Sequence, residues 1–189
     1  MPNRPIPGDL GNRRDSRGRP YKENLDLTSA ALQRGAGFAG TGTIAESSVE
    51  RVGDIIITRY LIDLTGLAAA AAGDVIGNSG GGAAYFARYD AALSGTNLGG
   101  TLRCFEAPAG GDADIDVHSS TAFTGAYDDA VSGLAGNTQV VNSGTLALTT
   151  DGSVIPDTIA DGDALYLVSV GATAAAYTAG RILITLYGR

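Results

Sequence analysis

Short apolar runs separated by turn residues are the feature that most constrains the fold of this chain. Glycine accounts for 28 of the 189 residues. From residue 53 onward, clusters of Gly, Asp, Asn and Ser separate runs that are rich in β-branched and aromatic residues, which is the pattern of strands. The eight predicted strands are Asp54–Leu64, Ala83–Tyr89, Thr101–Glu106, Asp114–Ser119, Thr138–Asn142, Gly144–Thr149, Asp163–Val170 and Arg181–Tyr187.

The predicted strands favour an antiparallel all-β fold. Short strands joined by tight turns pair with their neighbours, whereas parallel pairing needs long crossovers, usually helical, that the sequence lacks. We expect Thr138–Asn142 and Gly144–Thr149 to pair as a hairpin through the turn at 142–144. A two-sheet sandwich, jelly-roll-like, is the expected architecture, and a more open barrel is the alternative.

Charge and proline divide the chain into two parts. Residues 1–34 carry seven Lys and Arg, four acidic residues and four of the six prolines. Residues 35–189 carry six Lys and Arg against sixteen acidic residues, and residues 104–180 contain ten acids and no Lys or Arg. Proline removes a backbone donor and disfavours helix in the residue before it. We therefore predict an extended basic arm with a glycine-rich hinge over residues 1–43 and a sandwich body over residues 44–189.

The basic side chains of the arm are candidate partner-binding residues. An acidic body attracts a basic segment, so we expect the arm to lie on a neighbouring acidic surface, such as that of a sister subunit. A tail without a role is the alternative. Nucleic acid is not an expected partner, because the acidic body would repel phosphate. The residues concerned are Arg4, Arg13, Arg14, Arg17, Arg19 and Lys22.

Few side chains are suited to catalysis. One His and one Cys exclude most zinc sites and leave a triad-type mechanism a single candidate base. His118 has no positioned nucleophile beside it in the sequence pattern. Cys104 lies within an apolar strand, where a buried structural thiol is expected. We therefore expect neither an enzyme nor a cofactor.

Asp112, Asp114 and Asp116 are spaced like the start of a calcium-binding loop. An EF-hand would need Gly and Glu at the positions where this chain has Val117 and Phe123. The specific motif is absent, and no metal site is predicted from it. The three carboxylates leave a looser cation site open, and the alternative is a solvated acidic strand that discourages edge-to-edge aggregation.

The sequence lacks the apolar segments that direct proteins to membranes. The first twelve residues, MPNRPIPGDLGN, contain no hydrophobic core of a signal peptide. No apolar run approaches the 18 residues of a transmembrane helix. We therefore expect no signal peptide and no membrane partner.

Five segments of the body share their strand and turn patterns with a known group of proteins. They are GDIIITRYLIDLTGL (53–67), GGAAYFARY (81–89), CFEAPAGGDADIDVHSS (104–120), GAYDDA (125–130) and LYLVSVGATAAAYTAGRILITLYG (165–188). Together they cover most of residues 53–188 and little of the arm. These segments resemble the small capsid decoration, or cement, proteins of tailed bacteriophages from aquatic bacteria.

The resemblance implies a jelly-roll-like subunit on the outer face of a phage head, made in the host cytoplasm and then part of the virion. Such proteins sit at local symmetry axes as trimers, sometimes as dimers, and clamp neighbouring major capsid proteins together. The implied partners are therefore the major capsid protein and further copies of this chain, with a trimer expected before a dimer. In that arrangement the arm would bridge neighbouring subunits.

A host-binding module is the alternative function. A sandwich domain on a head or tail fibre would bind a cell-surface glycan through exposed aromatic rings. The chain has no Trp, and five of its eight Tyr lie in predicted strands. Tyr127 or Tyr177, both in predicted loops, would then lie at the glycan site.

Overall fold

The computed structural model describes residues 43–148, 151–156 and 158–189. These residues coincide with the predicted body apart from the two short gaps. The predicted arm, residues 1–43, lies outside the described residues except for Thr43, so its extended form stays a prediction.

Strands make up most of the described body. Helix is limited there to α1 (Ala91–Ser94) and one 3-10 turn at Val131–Gly133. The paired strands run antiparallel, which confirms the predicted all-β antiparallel class. The strands are β1 (Thr43–Val52), β2 (Ile55–Asp63), β3 (Ala68–Ala69), β4 (Ala87–Arg88), β5 (Asn97–Ala109), β6 (Ile115–Ser120), β7 (Thr138–Val141), β8 (Asp151–Val154), β9 (Ala164–Ser169), β10 (Ala175–Ala176) and β11 (Ala179–Gly188).

One continuous sheet contains nine of these strands in the order β1-β2-β11-β5-β8-β7-β6-β9-β4. It curls into a half-barrel. The link between β8 and β7 is short, since the ladder there contains the pair Val141 with Val154 and the Ile155 amide donates to the Val140 carbonyl at 2.9 Å. We call this link the seam. It joins the two halves of the sheet by hydrogen bonds, and the finer architecture, a two-sheet jelly-roll sandwich, stays a prediction.

Both halves of the sheet bury the same hydrophobic core. Buried and half-buried residues alternate along β2 with the two-residue period of a strand. A single buried cluster contains Ile62 of β2, Leu102 of β5, Val117 of β6 and Leu167 of β9. Because strands from both sides of the seam supply this cluster, its burial stabilises the curl of the sheet.

A second, smaller cluster covers the outer side of β9. Tyr166 and Val168 pack there with Val75 and Val131, which come from the loops on that side. The Tyr166 hydroxyl donates to the carbonyl of Ala122 at 2.7 Å. All six residues of β9 are buried, and a strand buried on both faces needs no polar alternation in its sequence.

The predicted hairpin after residue 138 is wrong. Strand β7 pairs with β6 and β8, and residues 144–148 form no strand with it. The Ser143 amide donates to the Asp116 carboxylate at 3.2 Å, and the Leu146 amide donates to the Ala113 carbonyl at 2.7 Å. These bonds hold the segment against the start of β6, so the returning strand is β8.

Further elements differ from the predictions, among them the two-residue strands β3 and β10, which were not predicted. The predicted strand Ala83–Tyr89 contains only β4, because the Ala84 amide donates to the Gly125 carbonyl at 2.7 Å and ties the segment to a loop. Strand β1 was not among the predicted strands. Its sequence, TIAESSVERV, is largely polar, as is common for a strand at the edge of a sheet, and among the described residues it pairs with β2.

Gly100 marks a close approach between β5 and β11. It pairs with Leu186 on β11 and with Val154 on β8. A Cβ atom at this position would lie 2.0 Å from the carbonyl oxygen of Thr185 and 3.0 Å from the Cα of Leu186. The nearest obstacle is backbone, which cannot swing aside as a side chain can, so any side chain here would push the two strands apart.

We predict that Gly100→Ala destabilises the body. Overpacking costs about 1–3 kcal/mol, which should lower the thermal unfolding midpoint by about 3–10 °C for a chain of this size. Gly133→Ala is the matched control, because a Cβ there meets nothing within 4 Å. Differential scanning calorimetry measures both, and equal midpoints for the two variants would contradict the strand-contact argument.

Candidate interaction site

The outer side of the sheet is covered by loops in one half and partly exposed to solvent in the other. Loops cover the outer side of β9, as described above. On the other half, outward residues of β2 such as Ile57 and Leu61 remain half-buried, and those of the flanking strands such as Val52 and Phe105 are exposed. We call this outward surface of β1, β2, β11 and β5 the open face. Its described residues include Ser48, Glu50, Val52, Ile57, Arg59, Leu61, Asp63, Arg103, Phe105, Glu106, Arg181, Leu183 and Tyr187.

Strand register places apolar side chains together at the middle of the open face. Leu61 on β2 lies directly opposite Leu183 on β11, and Ser48 on β1 lies opposite Arg59 on β2. With Phe105 of β5, these residues line a groove of about 210 Å³. Phe105 is 50% exposed, although a ring of that size would normally be buried. The groove therefore leaves a patch of apolar surface exposed to solvent, as interaction sites often do.

Ion pairs lie around this apolar groove. Arg59 contacts Glu50 at 3.1 Å on one side. On the other side Arg181 lies between Asp63 at 3.4 Å and Glu106 at 3.5 Å. Pairs with this much exposure add little to folding stability. An apolar centre with a charged rim is instead the arrangement found in protein–protein interfaces.

Another ion pair lies at the far edge of the open face. Arg103 of β5 contacts Asp151 of β8 at 3.5 Å. Each of the three open-face arginines thus has at least one carboxylate partner. The charges on this surface are therefore nearly balanced, unlike those on the rest of the body.

Asp63 is the most strongly held carboxylate of the open face. Partial burial opposes its ionisation, but the Thr65 side chain and backbone amide both donate hydrogen bonds to it, the amide at 3.0 Å, and the Arg181 guanidinium lies beside it. The net result is a pKa of Asp63 below its ordinary value. The Asp63 carboxyl group beside Arg181 is therefore ionised at neutral pH.

Two of the three carboxylates at which a looser cation site was left open, Asp112 and Asp116, accept hydrogen bonds from within the chain. Asp116 is buried and accepts from the Gln139 side chain and the Ser143 amide. Asp112 accepts from the Asp114 amide at 3.1 Å. Burial, followed by the charges of Asp116 and Asp112, raises the pKa of Asp114. Across the described ranges, no group of three His, Cys, Asp or Glu side chains is arranged to hold a metal ion.

The two side chains considered for catalysis also have structural partners. His118 Nδ1 lies 2.7 Å from Asn137 Oδ1. The predicted burial of Cys104 is confirmed, and its Sγ donates to the carbonyl of Glu106 at 3.3 Å. Burial, with the nearby Glu106 charge, raises the pKa of the Cys104 thiol despite that hydrogen bond. A thiol of this kind is a poor nucleophile at neutral pH.

The structure corrects one residue of the alternative glycan site. Tyr177 is only 2% exposed and packs within the main core, so its ring cannot stack on a sugar. Its hydroxyl has no hydrogen-bond partner among the described residues. Tyr127 is half-buried. The six basic arm residues, Arg4, Arg13, Arg14, Arg17, Arg19 and Lys22, lie outside the described residues.

The open face was not among the sites expected from the sequence. A signal for it is present in Asp54–Leu64, where apolar residues occupy both alternating positions rather than one. That pattern predicts a strand with apolar residues on two sides. It does not tell whether the second side is covered by the chain itself, and only the register of β2, β11 and β5 shows the groove.

No protein-family model matches the chain, and neither a curated protein nor a solved structure shows significant similarity to it. Among the described residues, no helix is long and apolar enough to span a membrane.

We predict that Asp63→Asn destabilises the body at pH 7, chiefly because the hydrogen bonds from Thr65 lose their charged acceptor, the exposed contact with Arg181 adding little. A carboxyl group with a lowered pKa in the folded state contributes stability above its unfolded pKa of about 3.9, and this contribution is lost as the pH falls through the folded pKa. The unfolding midpoints of the variant and the parent should therefore differ at pH 7 and converge as the pH falls below the unfolded pKa and through the lowered folded pKa. A difference that stays constant with pH would contradict an ionic role for Asp63.

Proposed function

We propose that this chain is a structural virion protein, a capsid decoration or cement protein that binds the outer surface of a phage head and stabilises the contacts between capsomers. In this proposal the body is a jelly-roll-like sandwich and residues 1–43 form an arm that bridges neighbouring subunits. The observation that carries the proposal is the open face, an apolar groove with a rim of ion pairs on an otherwise acidic body. Such a surface favours docking to another protein subunit of the lattice, a further copy of this chain included, rather than chemistry on a small molecule.

The distribution of charge supports the same function. Ten acidic residues and no Lys or Arg lie in residues 104–180, which gives an outward surface with high solubility and little affinity for nucleic acid. The basic arm has the opposite sign and would find such a surface on a neighbouring copy. Many weak contacts repeated over a lattice add up to strong attachment, so no single contact needs to be tight.

The partners in this proposal are the major capsid protein and further copies of the chain. The resemblance places a trimer before a dimer, at the outer face of the virion, and calls for no enzymatic activity. A fibre module that binds host glycans is the competing function. With Tyr177 buried, Tyr127 is what remains of the aromatic site suggested for it.

Copy number in the virion tests the proposed function. Quantitative mass spectrometry of purified particles should find this chain as a large, fixed fraction of the number of major capsid subunits. Mild release of the protein should leave heads that break at lower temperature. A few copies per particle would support the fibre module instead, and absence from the particle would refute the proposal.

We further predict that the arginines of the arm strengthen attachment to heads. Replacing Arg13, Arg14, Arg17 and Arg19 with Gln should weaken binding to stripped heads at low salt by tenfold or more, because about 1.4 kcal/mol of lost attraction suffices. Arg88→Gln in the body is the control, since its guanidinium packs over Phe123 with a 4.7 Å distance to the ring centroid. Undiminished binding by the quadruple variant would refute the role of the arm.

A further inference from the structure

The open face is the part of the body where positive and negative charges balance. Residues 35–189 carry sixteen acidic residues against six Lys and Arg. Three of those six, Arg59, Arg103 and Arg181, lie on the open face within 3.5 Å of carboxylates. Two acidic bodies repel each other wherever their acid-only surfaces meet. Close contact between two copies is therefore least opposed at the open face.

The size of the open face is also suited to a pair of copies. Eight registered residue pairs join β2 and β11, and β1 and β5 lie on either side. A patch four strands wide and about eight residues long covers roughly 500 Å². Two such patches bury roughly 1,000 Å² in total, the lower limit for a specific protein–protein interface.

The outer side of β9 shows what a covered face of this sheet looks like. There Tyr166 and Val168 are fully buried under the loops of the same chain. On the open face, Phe105 and Val52 are 50% and 54% exposed. Sheets pack face to face through side chains of this kind, at a separation of about 10 Å.

We propose that a second copy of this chain covers the open face, so that two open faces pack together about a twofold axis. The contact is isologous, with the same residues contributed by each copy. The place of this contact in a virion rests on the proposed function. The contact deepens that function by naming the surface through which copies of the chain associate. It also favours the dimer over the trimer that the resemblance put first.

Sedimentation velocity on the purified full-length chain tests this contact. A monomer–dimer equilibrium is expected over a concentration series, and it should persist in 1 M NaCl. At that ionic strength charges are screened within about 3 Å, so an association made by the basic arm on acidic surfaces would disappear. A monomer at all concentrations, a trimer, or a dimer that is lost in high salt would each overturn the proposal.

A substitution on the open face tests whether that face forms the dimer contact. Phe105→Asp should raise the dimer dissociation constant by about tenfold or more, because exposed aromatic residues dominate interfaces of this type. Val170→Asp is the matched control, since Val170 is 41% exposed and follows β9 on the other half of the sheet. Equal dissociation constants for the two variants would overturn the proposal.

A second variant guards against an effect through folding. Val52→Asp, at the end of β1, should also weaken the dimer, and each variant should keep the parent's thermal unfolding midpoint because the replaced side chains are half exposed. Weakening by Phe105→Asp alone, together with a lowered midpoint, would overturn the proposal. None of these outcomes bears on the copy number of the chain in virions, so failure of the dimer is distinguishable from failure of the proposed function.

Discussion

The constraint on which this body depends is that one sheet must bury its own core. Within the described residues there is no helix long enough to cover a sheet face, so the strands curl until Ile62, Leu102 and Leu167 meet in one cluster. A curled sheet encloses its inner side and leaves its outer side to be covered separately. Loops do so over β9, whereas β2, β11 and β5 keep apolar side chains facing outward. The candidate interaction site is therefore a consequence of how the fold closes.

Sequence patterns predicted the class of the fold because strand formation in this chain is largely local. Asp54–Leu64 and Arg181–Tyr187 show alternation or continuous apolar character, and both became long strands. The errors occurred where contacts with residues distant in the sequence determine the structure of a segment. Residues 144–148 look like a strand, but the hydrogen bonds from Ser143 to Asp116 and from Leu146 to Ala113 hold them against the start of β6. Tyr177 looks like a loop residue, yet it packs into the core, which turn residues alone do not reveal.

The candidate site was harder to predict than the fold, since it depends on register. Leu61 and Leu183 are 122 positions apart in the sequence, and only the pairing of β2 with β11 brings them together. Charge, by contrast, is visible in the sequence. The absence of Lys and Arg from residues 104–180 already indicates that the positive charge of the body is confined to the residues before and after that segment. The structure adds that three of the six Lys and Arg of residues 35–189 lie in ion pairs on the open face.

The seam between β7 and β8 has a mechanical consequence. A sheet resists bending most where many hydrogen bonds cross the bending line, and few cross this one. The apolar core beneath it is non-directional and tolerates small sliding better than a hydrogen-bonded ladder does. Each half of the sheet should thus behave as a stiff plate, with compliance concentrated along a single line. Copies placed on surfaces of different curvature would then adjust at that line and keep the groove on the open face unchanged.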